Sequence, residues 1–125
     1  MNFYRCNECG SIITDIKECK CEGCSYNCCN RPMAKLNANS VDAAIEKHVP
    51  VVENSDNVVT VRVGEVAHPM IEEHFIEFIA LETTKGMYLR KLNPGEEAGI
   101  KFTLDNEVIV KAYAYCNLHG LWSSK

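Results

Sequence analysis

The sequence predicts an all-β protein, in which an antiparallel β-sandwich (residues 38–125) follows a small cysteine-rich metal domain (residues 1–37). In the larger part, five or more short apolar segments, two of them with period-2 alternation, recur about every ten residues, which is typical of an antiparallel sandwich. In the smaller part, seven of the eight cysteines lie between Cys6 and Cys29. A polar stretch at residues 36–40 separates the two compositions and is typical of a linker.

Composition excludes several classes of protein. The chain has 125 residues, of which 46% are hydrophobic and 24% charged, so a globular fold is expected. No apolar run is long enough for a transmembrane helix, and the polar N-terminus lacks the apolar core of a signal peptide. We therefore expect a cytoplasmic protein. The net charge of −4 argues against binding to nucleic acid or to an anionic membrane.

The first element of the metal domain is a Cys-x-x-Cys motif formed by Cys6 and Cys9. Two thiolates at this spacing can hold one tetrahedral ion, and Gly10 can adopt the positive φ that such a turn often needs. Cys28 and Cys29 could supply the other two thiolates. Four thiolates suit iron or zinc, and the domain has too few aliphatic residues to fold around an apolar core alone.

A second pairing competes for the same metal. Cys21 and Cys24 form another Cys-x-x-Cys motif, and together with Cys6 and Cys9 they would make a zinc ribbon. Spacing alone favours this arrangement, because two adjacent cysteines are an awkward pair of ligands. A disulfide-bonded knot is disfavoured, because seven cysteines would leave one thiol unpaired.

The larger domain is predicted to begin with a short helix over residues 40–48, capped by Ser40 and ended by Pro50. Strands and turns follow. The strand segments are Val58–Val63, Phe75–Leu81, Met87–Leu89, Ile100–Leu104 and Glu107–Cys116, and the turns are Thr83–Gly86, Asn93–Gly95 and Asp105–Asn106.

All four histidines lie at boundaries of predicted elements in this domain, and the last one follows a cysteine by three residues. The set is His48, His68, His74, His119 and Cys116. Imidazole and thiolate together suit a transition metal. The alternative, Cys116 as a nucleophile with His119 as its base, would leave three histidines without a role.

Five motifs in order resemble those of superoxide reductases of the two-domain desulfoferrodoxin type. They are E-K-H-V-P, A-H-P-M, E-E-H-F, C-N-L-H-G-L-W and the N-terminal C-x-x-C-G with C-C-N-R-P-M. The resemblance implies an immunoglobulin-like sandwich for residues 38–125, similar to neelaredoxin, and a desulforedoxin-like metal domain for residues 1–37.

The resemblance also implies roles for individual residues. The catalytic iron would be bound by four histidines in a plane with one axial thiolate, namely His48, His68, His74, His119 and Cys116. Glu46 matches the carboxylate that occupies the remaining position in the ferric state, and Lys47 matches the lysine beside the open site. The N-terminal iron, or zinc, would be bound by Cys6, Cys9, Cys28 and Cys29.

The implied activity is the one-electron reduction of superoxide to hydrogen peroxide, with re-reduction by rubredoxin or a similar carrier, in a homodimer from an anaerobe or microaerophile. A non-enzymatic metalloprotein, acting as an electron carrier or binding module, is the alternative, and a superoxide dismutase is a third possibility. The extra cysteines, Cys19, Cys21 and Cys24, depart from the family pattern. They could be inert, form a further site or be redox-active.

Overall fold

The computed structural model describes residues 1–125, which form two compact units, Met1–Asn37 and Ala38–Lys125. Every strand pair is antiparallel. The single helix, α1 (Ile45–His48), is far too short to cross a bilayer. The strands are β1 (Phe3–Arg5), β2 (Ile12–Thr14), β3 (Asn27–Cys28), β4 (Arg31–Pro32), β5 (Ala34–Lys35), β6 (Pro50–Ser55), β7 (Val58–Val63), β8 (Ile76–Thr83), β9 (Met87–Lys91), β10 (Gly99–Thr103), β11 (Ile109–Cys116) and β12 (Gly120–Ser123).

The first unit contains very little apolar core. It consists of a three-stranded sheet in the order β2-β1-β5 and a two-stranded hairpin, β3-β4. Phe3 and Cys6 are its only buried residues. Since so little apolar surface is buried, cross-links between side chains must supply much of what holds this unit together.

The second unit is a sandwich of a three-stranded sheet (β10-β7-β6) and a four-stranded sheet (β12-β11-β8-β9). Alternate residues of β7 point into the core, so Val59, Val61 and Val63 are buried while Arg62 is exposed. The opposite sheet contributes buried residues from β8 and β11, among them Ile79, Leu81, Ala112 and Ala114. The predicted antiparallel sandwich is confirmed.

The predicted start of the helix is wrong. The helix begins at Ile45 after an extended Ala44, without a side-chain cap, so Ser40 is not its N-cap. The preceding segment is held instead by β12, because Asn39 donates its backbone N–H to Leu121 O (3.0 Å) and its side chain accepts the N–H of Ser123 (2.9 Å). Because these contacts hold the segment against β12, the helix begins several residues later in the sequence than predicted.

Candidate metal centres

Four histidines and one cysteine meet at one end of the sandwich, although they come from separate parts of the chain. His48 ends α1, His68 and His74 lie in the connection between β7 and β8, Cys116 ends β11 and His119 lies in the turn before β12. The candidate ligand atoms of His48, His68, His74 and Cys116 all lie within 4.8 Å of one another. His119 joins them through its Nδ1 atom, which is 3.0 Å from His48 Nε2 and 3.8 Å from Cys116 Sγ.

The hydrogen bonds of His48 and His68 determine which ring nitrogen carries the proton. The Nδ1 atom of His48 lies 2.7 Å from Ala44 O, and that of His68 lies 2.7 Å from Pro69 O. A carbonyl oxygen can only accept, so Nδ1 is the protonated nitrogen in both rings. Burial lowers the pKa of both histidines, that of His68 to about 4, so the rings are neutral near pH 7.

A neutral imidazole has only one N–H, so the Nε2 atoms of these two rings carry lone pairs. They nevertheless face each other at 3.2 Å with no proton between them. Two lone pairs at this distance repel, and a cation between them would turn the repulsion into two bonds. This arrangement, with both Nδ1 atoms fixed by carbonyls, is typical of metal-binding histidines.

His74 adds a buried nitrogen that lacks a partner, and Cys116 adds a buried thiol. The Nε2 atom of His74 is buried and has no hydrogen-bond partner, which is costly unless a metal occupies the site. Burial lowers the pKa of His74 and raises that of the fully buried Cys116 thiol. Imidazole nitrogen and sulfur together fit a transition metal such as iron.

Trp122 positions two of the histidines, a role that sequence reasoning missed. Its indole stacks on the ring of His48, with the centroids 4.8 Å apart and the planes inclined by 27°. Its Nε1–H donates to His119 O over 3.1 Å. The side chain is 2% exposed, so both contacts are protected from water. The available signal was the Trp three residues after His119 in the last motif.

Asn117 is a second positioning residue that sequence reasoning missed. Its Oδ1 accepts the backbone N–H of Phe75 (3.0 Å) and its Nδ2 donates to Glu73 O (3.0 Å). These bonds bracket His74 and tie its segment to the residue that follows Cys116. Asn117 therefore brings together two parts of the cluster that are 42 residues apart in sequence.

Glu46 and Lys47 precede His48 on α1, and both side chains are exposed. Burial and the neighbouring histidines are the main causes of the lowered pKa of His74, and the positive charge of Lys47 lowers it slightly further. The charge of Lys47 therefore acts electrostatically on the cluster.

The backbone of α1 lies very close to Gly64. Val66 donates its N–H to Glu46 O (2.9 Å), and a Cβ on Gly64 would lie 2.5 Å from that oxygen. Only a glycine permits this approach.

The second cluster lies in the first unit and is formed by Cys6, Cys9, Cys28 and Cys29, whose sulfur atoms lie within 4.8 Å of one another. Gly10 adopts φ +78° and donates its N–H to Cys6 O (2.9 Å), which confirms the predicted turn. Hydrogen bonding from the Cys9 backbone is the main cause of a lowered pKa of Cys6, whereas the neighbouring Cys6 sulfur raises the pKa of Cys28. Four sulfurs packed this closely fit iron or zinc.

The β3-β4 hairpin explains how two adjacent cysteines serve one cluster. Cys28 ends β3, and Cys29 and Asn30 are the two turn residues, with φ values of 53° and 61°. Two positive φ values are the signature of a type I′ turn. The left-handed conformation of Cys29 brings its sulfur to 3.9 Å from that of Cys28. The zinc-ribbon pairing is not formed, because Cys21 and Cys24 belong to a separate cluster with Cys19.

Comparisons with known proteins identify the family of this chain. Residues 40–125 match the family described as Desulfoferrodoxin. The chain is 44% identical to a desulfoferrodoxin of Syntrophotalea carbinolica, over 100% of this chain and 96% of that protein. It is 40% identical to a desulfoferrodoxin homolog of Archaeoglobus fulgidus, over 99% and 96% of the two chains.

Among solved structures, the superoxide reductase from Treponema pallidum superposes with a TM-score of 0.82 at 37% identity, covering 99% of this chain and 98% of that one. The superoxide reductase (1Fe-SOR) from Giardia intestinalis matches 63% of this chain and 95% of its own, with a TM-score of 0.54 and 35% identity. The chain belongs to the desulfoferrodoxin family.

Proposed function

We propose that this member of the desulfoferrodoxin family is a superoxide reductase, which reduces superoxide by one electron, with two protons, to hydrogen peroxide. The observation that carries the proposal is the pair of unprotonated Nε2 atoms of His48 and His68, facing each other beside a buried thiol. The similarity to proteins named superoxide reductases supports the choice of substrate.

The proposed ligands of the catalytic iron are His48, His68, His74, His119 and Cys116. Bound there, the iron would supply the electron that superoxide accepts. The histidines stay neutral because burial disfavours their protonated forms, so their lone pairs remain available for binding. Cys116 must lose its proton when it binds, and its raised pKa therefore couples metal binding to proton release.

Lys47 and Glu46 are proposed to act on the substrate side of the centre. Superoxide is an anion, and an exposed lysine next to His48 raises its local concentration in a chain whose net charge is −4. Glu46 is proposed to ligate the oxidised iron. Both residues lie on the short helix that also carries His48, so one element places all three.

The four-cysteine cluster of the first unit is proposed to hold a second iron or a zinc ion. Because that unit buries only two residues, a metal there would stabilise its fold, and electron relay is an additional role if the ion is iron. On the family resemblance, we further propose a desulforedoxin-like domain at residues 1–37, a catalytic domain at residues 38–125, a cytoplasmic homodimer and a rubredoxin-like electron donor.

The decisive experiment combines metal analysis with the visible spectrum before and after superoxide is added to the reduced protein. The expected result is iron at the His/Cys centre, stoichiometric oxidation and formation of peroxide without oxygen. Cys116→Ser should lose the thiolate-to-iron absorption of this centre, whereas Cys21→Ser, the same substitution at an exposed position, should keep it.

Two outcomes would contradict the proposal. Failure to bind iron after anaerobic reconstitution would favour a non-enzymatic metalloprotein that acts as a carrier or binding module. Evolution of oxygen alongside peroxide would identify a dismutase. One iron and one zinc per chain would leave the reductase intact and remove the relay role.

A further inference from the structure

Three cysteines of the first unit lie outside both clusters described above. Cys19, Cys21 and Cys24 occupy the segment between β2 and β3, which contains no helix or strand. All three are exposed, and their sulfur atoms lie within 4.8 Å of one another. Cys19 and Cys24 form a disulfide with a Cα–Cα distance of 6.5 Å, and Cys21 is a free thiol beside it.

The surrounding loop has little else to order it. The side-chain hydrogen bonds nearest to it belong to residues at its two ends: Asp15 accepts from Tyr4 and Tyr26, and Ser25 donates to Asn27. A chain segment without such bonds gains order from a cross-link, because fixing each residue otherwise costs conformational entropy. A disulfide would use two of the three sulfurs and leave the convergence of Cys21 unexplained.

The reduced loop has the composition of a metal site. Its ligands come from a Cys-x-Cys-x-x-Cys spacing within six residues, so little loop-closure entropy opposes their convergence. Gly23, between two of them, adopts φ +71° and has open space around it. Lys17 and Lys20 face three carboxylates in this segment, Asp15, Glu18 and Glu22, so three thiolates would make the loop strongly anionic unless a cation neutralised them.

We propose that in the reduced chain Cys19, Cys21 and Cys24 form a third metal site, which binds one divalent thiophilic cation such as Zn²⁺ through three thiolates. Two external thiols reduce the Cys19–Cys24 bond and leave as their own disulfide. Binding of the cation then releases the protons of the three cysteine thiols. Zinc prefers four ligands, so the fourth position is open to water or an added ligand. This inference does not depend on the reductase activity.

An exposed disulfide is accessible to thiol reductants. The four-cysteine cluster also needs reduced sulfurs, so conditions that keep Cys6, Cys9, Cys28 and Cys29 as thiolates favour the reduced loop as well. The disulfide is therefore the oxidised alternative to the metal-bound loop, and only one of the two can exist in a given molecule.

The test uses the full chain with its other two centres loaded, reduced anaerobically with a phosphine. Zn²⁺ is titrated in competition with a chromophoric chelator, and native mass spectrometry counts the ions. The parent should bind about one more zinc ion per chain while its iron content stays unchanged. Changing a residue that only hydrogen-bonds to a metal ligand costs about 10- to 100-fold in affinity, so removing the sulfur of Cys21 by Cys21→Ser should weaken this binding at least about tenfold.

Ser25→Ala is the matched control, because it alters an exposed residue of the same loop without removing a sulfur, and it should bind zinc as the parent does. Alkylation followed by peptide mapping provides a second readout, in which zinc protects all three loop thiols. No additional zinc in the parent, or equal affinity in Cys21→Ser, would overturn the proposal and leave a simple disulfide loop. Displacement of iron by the added zinc would overturn it as well, because the zinc would then occupy an existing site.

Discussion

The Nε2 atom of His48 lies 3.0 Å from the Nδ1 atom of His119, so the two rings approach the same point through different nitrogens. His48 uses Nε2 because its Nδ1 is bound to the carbonyl of Ala44. The position of His119 is set by its backbone, since its carbonyl accepts the indole N–H of Trp122. The orientation of the cluster therefore depends on backbone contacts as much as on the histidines themselves.

Gly64→Ala should disturb this cluster without altering any ligand. The new Cβ would lie 2.5 Å from Glu46 O and 2.9 Å from the carbonyl carbon of Lys47, so α1 must move and carry His48 with it. Overpacking of this kind costs about 1–3 kcal/mol. We expect lower stability and lower iron occupancy, measured by thermal unfolding and metal analysis. Gly86→Ala is the matched control, because its Cβ meets no atom within 4 Å. Equal iron occupancy in both variants would show that α1 tolerates the shift.

His74→Ala should weaken binding of the proposed catalytic iron at least about tenfold, because removing a proposed ligand should cost more than the roughly tenfold loss seen when a residue that only hydrogen-bonds to a ligand is changed. It also removes the buried Nε2 that has no partner in the protein, so the metal-free variant should lose little stability from that atom. Competition with an iron chelator measures the affinity, and denaturant unfolding of the metal-free proteins measures the stability. Unchanged affinity would remove His74 from the ligand set.

Lys47→Ala should slow the second-order reaction with superoxide by up to about fivefold, since one charge close to the reaction point contributes on the order of 1 kcal/mol in water. The dependence of the rate on ionic strength should flatten at the same time. Pulse radiolysis or stopped-flow mixing measures both effects. Lys85→Ala is the control and should behave as the parent, because Lys85 follows the end of β8 that lies opposite the histidine cluster. A parent-like rate in Lys47→Ala would exclude electrostatic guidance by this residue.

Glu46→Ala should change the visible spectrum of the oxidised centre and its pH dependence, because the proposed carboxylate ligand is lost. The reduced protein should react with superoxide at a rate close to that of the parent. Spectra recorded across a pH titration of the oxidised proteins test this directly. Glu65→Ala, an exposed acid outside the motif, serves as the control. Superimposable titrations of Glu46→Ala and the parent would count against ligation.

Glu107 gives the sandwich a pH-dependent contribution to stability that is separate from the metal centres. Its carboxylate accepts hydrogen bonds from Thr83 Oγ1, from Tyr88 OH (2.6 Å) and from the Asp105 N–H (3.0 Å), and these bonds lower its pKa. A lowered folded-state pKa means that the stabilisation is complete above the unfolded value of about 4.3 and is lost as pH falls through the folded value.

Glu107→Gln should therefore be less stable than the parent at neutral pH, and the difference should shrink below about pH 4. Denaturant unfolding of both proteins across the pH range measures this difference. Loss of metal at low pH affects both proteins alike and cancels in the comparison. A difference that stays constant with pH would show that the hydrogen bonds, and not the charge, make the contribution.

Sequence patterns predicted the strands that show either a clear alternation or a longer apolar segment beside a turn signal. β7 shows it in Val59, Val61 and Val63, which are all buried. β6 was missed because Pro50 was interpreted only as the end of a helix. In the structure Pro50 is the first residue of a strand at the edge of the sheet, where a missing N–H is tolerated. β12 and the strands of the first unit were missed because they contain only two to four residues.

Residue types and their order along the chain are enough to identify the side chains available for chemistry, because histidines, cysteines and their motifs can be identified without coordinates. How these side chains combine depends on the folded backbone. The type I′ turn at Cys29 allows the adjacent residues Cys28 and Cys29 to place their sulfurs in the same four-cysteine cluster. In His48 and in His68 a backbone carbonyl accepts the Nδ1 proton, which leaves Nε2 with its lone pair. These outcomes depend on backbone conformation and on the hydrogen bonds it allows, which residue spacing does not encode.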